Sequence, residues 1–219
     1  MQRYLLFDLD GTLTDPGEGI TNCVGYALRR FGVEPQSREE LYPYIGPPLV
    51  PSFMQFHGLS EGQAKQALLY YRERFSTKGM FENKPYPGIE DFLHRLQEEG
   101  FRLMVATSKP EEFTVQILAH FGLDVYFDFV GGNTLQESRP TKADVIRYVM
   151  EHHPDITRQN ALMIGDRHHD VDGAHACGLR AVGVLYGYGD RPELEQAGAE
   201  AMADDLTQLY AVIHSLFSN

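Results

Sequence analysis

Cysteine is scarce in this chain of 219 residues: Cys23 and Cys177 stand far apart and form no CxxC pair. No disulfide framework is available, and a reduced, intracellular compartment with both thiols as packing residues fits best. Basic residues are outnumbered, 19 Lys and Arg against 31 Asp and Glu, for a net charge of −12. Such a surface repels phosphate backbones and argues against nucleic acid as a partner. Any anionic substrate must be met by a local positive centre. Long apolar runs are missing too. The N-terminal stretch ends at Asp8, too short for a signal peptide, and nothing approaches the roughly 18 residues of a membrane span. Internal repeats and low-complexity segments are likewise absent. The expectation is a soluble cytoplasmic protein, a monomer or small homo-oligomer with no membrane partner.

What is present is ordinary in bulk: 42% hydrophobic and 23% charged residues, enough for a large core in one or two domains. Five short apolar runs read as strands: 3–8, 102–107, 127–132, 161–166 and 180–186. From residue 101 onward they alternate with helical patterns at 110–122, 141–153, 170–178 and 204–217. Strand and helix in alternation predict an α/β fold, a Rossmann-like parallel sheet covered on both faces. Residues 16–83 break the rhythm with helical patterns at 18–32, 50–58 and 60–79 and no strand between them. Turn-formers bound this stretch on both sides (DPGEG and NKPYPG). It reads as an all-helical domain inserted into a core made of 1–15 and 84–219.

The segment DLDGTLTD (8–15) places Asp8 and Asp10 at the tip of an apolar strand. Burying like charges there costs several kcal/mol unless something compensates. In open parallel sheets, ligands bind beyond the carboxyl ends of the strands. Three strands end there in polar residues: Asp8-Leu9-Asp10, Thr107-Ser108-Lys109 and Gly165-Asp166. Asp170 follows Asp166 by four residues, one helical turn on. Four carboxylates converging on one point suggest Mg²⁺, a hard cation that takes few protein oxygens and accepts substrate phosphate.

Four motifs in order, DLDGTLTD, ATSK, the lysine of TKADVI and GDRHHD, resemble those of the haloacid dehalogenase-like hydrolase superfamily. The helical insert is similar to that superfamily's small cap, and YIGPPL and KPYPG resemble its phosphoglycolate-phosphatase and nucleotidase-like subgroup. The resemblance covers nearly the whole chain. It implies Asp8 as nucleophile, forming an aspartyl-phosphate, and Asp10 as general acid and then base. It further implies that Asp8, the backbone carbonyl of Asp10 and Asp166 ligate Mg²⁺, with Asp170 on the metal or just behind it. Thr107, Ser108 and Gly11 would meet the phosphate. Lys142 would neutralise the phosphoryl group and Asp8. Arg139, in an Arg-Pro pair where relatives carry Lys-Pro, is the rival for that last role; the spacing of Lys142 to Val145 and Ile146 favours Lys142.

Plainer readings compete at several positions. Asp166 also suits the N-cap of the next helix, and Asp170 its first-turn dipole. Ser108 with Glu111 spells a capping box, S-x-x-E, with Pro110 in the first turn. Lys142 in a helix's first turn opposes the macrodipole unless an anion lies near. His168 and His169 are expected at a rim, not on a transition metal. The loop LYPYIGPPL (41–49) has no charge and offers Tyr44, Ile45 and Gly46 to the non-phosphate part of a substrate. The function implied is a Mg²⁺-dependent phosphomonoester hydrolase acting on a small phosphorylated metabolite, phosphoglycolate or a nucleoside monophosphate. Alternatives are a sugar-phosphate mutase of the same superfamily and an inactive binding protein.

Overall fold

The computed structural model describes residues 2–218, and the chain falls into two compact units, 15–84 and the remainder. The core unit opens with β1 (Arg3–Phe7), whose residues 4–7 are all buried, as a central parallel strand's must be. A two-residue strand β2 (Thr14–Asp15) leads into the helical unit. There the chain forms α1 (Gly17–Arg29), α2 (Leu49–His57) and α3 (Glu61–Phe75), with short 3₁₀ turns at Glu39–Tyr44 and Gly79–Phe81. Ser60 caps α3 by a reciprocal bond pattern with Gln63. The chain leaves through β3 (Lys84–Pro85), which pairs with β2.

The core then continues as α4 (Ile89–Glu98), β4 (Phe101–Pro110), α5 (Glu111–His120), β5 (Phe129–Asn133), α6 (Lys142–His152) and β6 (Ala161–Gly165). It ends with α7 (His168–Ala176), β7 (Arg180–Val184), α8 (Arg191–Ala197), β8 (Ala201–Ala203) and α9 (Leu206–Phe217). The sheet has six strands in the order β5-β4-β1-β6-β7-β8, all parallel. The α/β reading therefore holds, with one edge strand, β8, and two helices, α4 and α8, beyond those the sequence patterns mark.

Alternation along β1 sends its side chains to opposite layers. Tyr4 and Leu6 join Val145, Ile146 and Val149 of α6 and Val171 and Ala174 of α7 in one buried cluster. Phe7 goes the other way and meets Phe92 of α4 edge-on, 6.4 Å between centroids. Among the described residues no helix is long and apolar enough to cross a membrane.

Candidate active site

The chain runs outward from β1 to β4 and β5, then returns to the far side of β1 as β6. That reversal of direction puts a crevice at the carboxyl ends of β1 and β6. Phe7 pairs with Val105 of β4 on one side and Ile164 of β6 on the other, so β1 and β6 end nearly level while β4 runs on to Pro110. Asp8 extends β1 by one residue, its N–H donating to the carbonyl of Ile164 at 2.9 Å. The chain then turns at Gly11, which has φ +81°; a Cβ there would collide with the carboxylate of Asp166. Only glycine serves at that approach.

Lys142 is the first residue of α6, behind the N-cap Thr141, whose hydroxyl accepts from the N–H of Asp144. Its Nζ lies 2.9 Å from Asp8 Oδ1 and 2.7 Å from Asp170 Oδ1, and donates to the Ala106 carbonyl at 3.1 Å. An ammonium has three donors, and here each faces an oxygen. Burial pulls its pKa down, but Asp170 and Asp8 more than offset that and raise it above the usual lysine value. The first-turn cation thus has its anions. Arg139 lies elsewhere, 3.1 Å from Glu111 and over the ring of Tyr148 at 3.7 Å.

Asp166 follows β6, and its Oδ2 accepts from the N–H of Tyr188 at 2.8 Å while Oδ1 is buried without a partner. It is not the N-cap of α7, which Arg167 occupies. Asp170 accepts from the N–H of Arg167 at 3.1 Å and is buried in the helix's first turn. Burial, with Asp170 and Asp8 nearby, raises the pKa of Asp166 well above the ordinary carboxylate range. Burial likewise raises Asp170, against the pull of Lys142. Asp8, Asp166 and Asp170 each offer an oxygen within 4.8 Å of the others. When all three are ionised, the carboxylates exceed the one ammonium by two negative charges, which is why burial and mutual repulsion raise Asp166 and Asp170. One divalent cation balances that excess, and the hard oxygen donors and the orphaned Asp166 Oδ1 suit it. The residues fit such a metal.

His168 pairs with Asp172 at 3.0 Å, and both His168 and His169 are half-buried. Burial, then the proximity of His168 and of the cations Arg167 and Lys142, push His169 down to about 4, so it is neutral near pH 7.

Thr107 is buried near the end of β4, and Ser108 beside it is half-buried. The capping box spelled by Ser108 and Glu111 does not form: the N-cap of α5 is Pro110, with no side-chain bond. β4 instead stays extended through Pro110, which pairs with Asn133 after a register shift. Period-two alternation then sends Lys109 to the same side as Thr107. Its Nζ sits 2.7 Å from Asp10 Oδ2, with both side chains largely buried. Burial raises the pKa of Asp10, while Lys109 acts in the opposite direction. Lys109 is the site residue that the motif reading assigned no role. Reading the strand's alternation through to Pro110, and not the S-x-x-E spacing, would have found it.

Residues 5–184 match the family model described as haloacid dehalogenase-like hydrolase. The chain belongs to that family. It is 42% identical over 215 residues to a 5'-nucleotidase of Pseudomonas aeruginosa, covering 97% of each chain. A phosphoglycolate phosphatase of the same organism is 30% identical over 95% of this chain and 79% of its own. Among solved structures, a protein of Clostridium acetobutylicum described as a predicted phosphatase superposes with TM-score 0.95 at 47% identity, covering 98% and 99% of the two chains. This hydrolase is a phosphatase.

Within the helical unit of the hydrolase, the substrate loop read from sequence needs correction. Tyr44 and Ile45 are only 1% exposed. The Tyr44 ring packs 5.1 Å from Phe53 and 5.3 Å from Phe56, and its hydroxyl bonds His57 Nδ1 at 2.7 Å. An uncharged aromatic loop found its apolar partners in its own unit, so Tyr44 and Ile45 offer no open surface to a ligand. Gly46 is half-buried, with φ +102°.

Proposed function

We propose that the chain is a Mg²⁺-dependent phosphomonoester hydrolase that works through an aspartyl-phosphate on Asp8, in a reducing cytoplasm that suits its two free cysteines. The observation that carries this reading is the pair of buried ammonium–carboxylate contacts, Lys142 on Asp8 and Lys109 on Asp10. Asp8 shares its lysine with Asp170 and also accepts from the N–H of Leu9, whereas Asp10 pairs with Lys109 and has one oxygen without a hydrogen-bond partner. Such unequal surroundings are how one site separates a nucleophile from an acid.

Asp8 accepts from Lys142 and from the N–H of Leu9 on Oδ1 alone, which leaves Oδ2 to attack phosphorus. As that bond forms, the ester P–O bond breaks and Asp10 gives its proton to the leaving oxygen. Water then attacks the phosphorus, Asp10 takes the water's proton, and Asp8 leaves as carboxylate. Lys142 neutralises the phosphoryl charge, and Thr107, Ser108 and Gly11 line the phosphate's position. Asp8, the backbone carbonyl of Asp10, Asp166 and Asp170 would hold Mg²⁺, which supplies positive charge at the phosphoryl oxygens.

For the substrate, we favour nucleoside monophosphates over phosphoglycolate. The relative named 5'-nucleotidase is similar over nearly the full length at 42% identity, against 30% for the one named phosphoglycolate phosphatase. The test is phosphate release by purified protein with Mg²⁺ from a panel of nucleoside monophosphates, phosphoglycolate and sugar phosphates. Higher kcat/KM on nucleoside monophosphates is expected. A clear preference for phosphoglycolate overturns the substrate choice, and transfer of phosphate back to a sugar phosphate instead of release overturns hydrolysis.

A further inference from the structure

We infer that Lys109 is the positioning residue for the general acid, and that it selects which oxygen of Asp10 exchanges the proton. The inference rests on the role proposed for Asp10. Lys109 Nζ holds Asp10 Oδ2 at 2.7 Å, whereas Asp10 Oδ1 is buried and has no hydrogen-bond partner. An orphaned buried oxygen is costly unless a ligand meets it, so such atoms mark sites where something else binds. With Oδ2 pinned by an ammonium, the acid proton resides on Oδ1, the oxygen left facing the leaving group. In the second half-reaction the same Oδ1 accepts the proton from water.

The backbone makes this placement specific. Lys109 is largely buried, and its N–H donates to Thr107 Oγ1 at 3.3 Å. The register shift between Ala106 and Pro110 keeps the strand extended past the point where helix α5 would otherwise begin. On the neighbouring strand, Gly132 leaves room for that extension: a Cβ there would stand 2.8 Å from the Lys109 carbonyl oxygen and from the Glu111 backbone. A lysine meant only to draw anions toward the site needs none of this. Its charge would act from an exposed position.

A positioning role differs from simple phosphate binding in how loss depends on the leaving group. Alkoxide departure needs the proton in the transition state, whereas 4-nitrophenolate leaves without it. Lys109→Met should therefore lower kcat/KM about 10- to 100-fold more on an alkyl phosphate than on 4-nitrophenyl phosphate. In an Asp10→Asn background the same change should add less than about threefold on either substrate, since two residues acting as a unit are not additive. Lys109→Gln, which keeps neutral N–H donors without the charge, should recover part of the alkyl activity. Equal losses on both substrates, or additive losses in the cycle, would mean that Lys109 serves phosphate charge or packing alone.

A second measurement needs no turnover. In a crystal structure of Lys109→Met the Asp10 carboxylate should rotate away from its wild-type position; an unmoved carboxylate overturns the inference even if activity falls. Wild-type protein that releases no phosphate from the panel refutes the hydrolase mechanism instead, and the crystallographic result still judges Lys109.

Discussion

At the scale of single residues, the site is a set of charges whose pairing is unequal. Asp8 shares Lys142 with Asp170, Asp10 has Lys109, and Asp166 has only the N–H of Tyr188 to Oδ2. If Asp8 is the nucleophile, Asp8→Asn should lower turnover by at least about 10³-fold, because an amide oxygen cannot form the covalent intermediate. The variant should still fold, since Asn can accept from the N–H of Leu9. Circular dichroism together with phosphate release checks both halves, and near-wild-type turnover would end the covalent mechanism. Sequence alone exposes much of this set, because Asp8, Asp10, Asp166 and Lys142 each sit at a strand end or helix start that the pattern marks. Lys109 escapes it. A serine three residues before a glutamate is a helix-start signal, and the structure overrides that signal by keeping β4 extended.

At the scale of elements, that same strand end supplies the next prediction. Gly132 of β5 stands against the backbone of Lys109 and Glu111, atoms that cannot swing aside as a flexible side chain can. Gly132→Ala should cost about 1–3 kcal/mol through overpacking, outweighing the smaller gain from a stiffer unfolded chain. Because the displaced segment carries Lys109, kcat should fall more than KM rises; denaturant melting and steady-state kinetics on one preparation measure both. The helical unit has its own test. Arg74 grips Glu82 with two bonds of 2.7 and 2.9 Å, Asn22 adds a third, and this bonding pushes Glu82 down to about 2 despite burial. A carboxylate whose folded pKa is depressed contributes stability above its unfolded pKa and loses it as pH falls toward the folded one. Glu82→Gln should therefore cost about 1.5–3 kcal/mol at pH 7, and the difference should shrink below about pH 4.5 on the way to 2. Urea titrations at pH 7 and about pH 3 give the comparison, and a constant difference would rule out the ion pair as its source. Periodicity made the central strands legible because each is a continuous apolar run buried on both faces. β8 was not, since three residues at a sheet edge, Ala201–Ala203, carry too little pattern to register.

At the scale of the whole molecule, a net charge of −12 surrounds a site whose three carboxylates, when ionised, exceed their one ammonium by two negative charges. The metal-free fold must then bear a local repulsion that a divalent cation removes. Binding only to the folded state, Mg²⁺ at about 100 times its Kd should stabilise the protein by about 2.7 kcal/mol. For a chain of this size that raises Tm by roughly 5–10 °C, and EDTA should reverse it. Asp166→Asn should do two things that general screening of a negative surface does not. By removing one of the crowded carboxylates it should raise the Tm of the metal-free protein, and by removing a ligand oxygen it should abolish most of the response to Mg²⁺. Potassium chloride at matched ionic strength provides the screening control. Scanning calorimetry with and without metal, on both proteins, decides the matter: a Mg²⁺ shift that survives Asp166→Asn, or that potassium reproduces, would place the effect on the acidic surface and not in the Asp8–Asp166–Asp170 cluster.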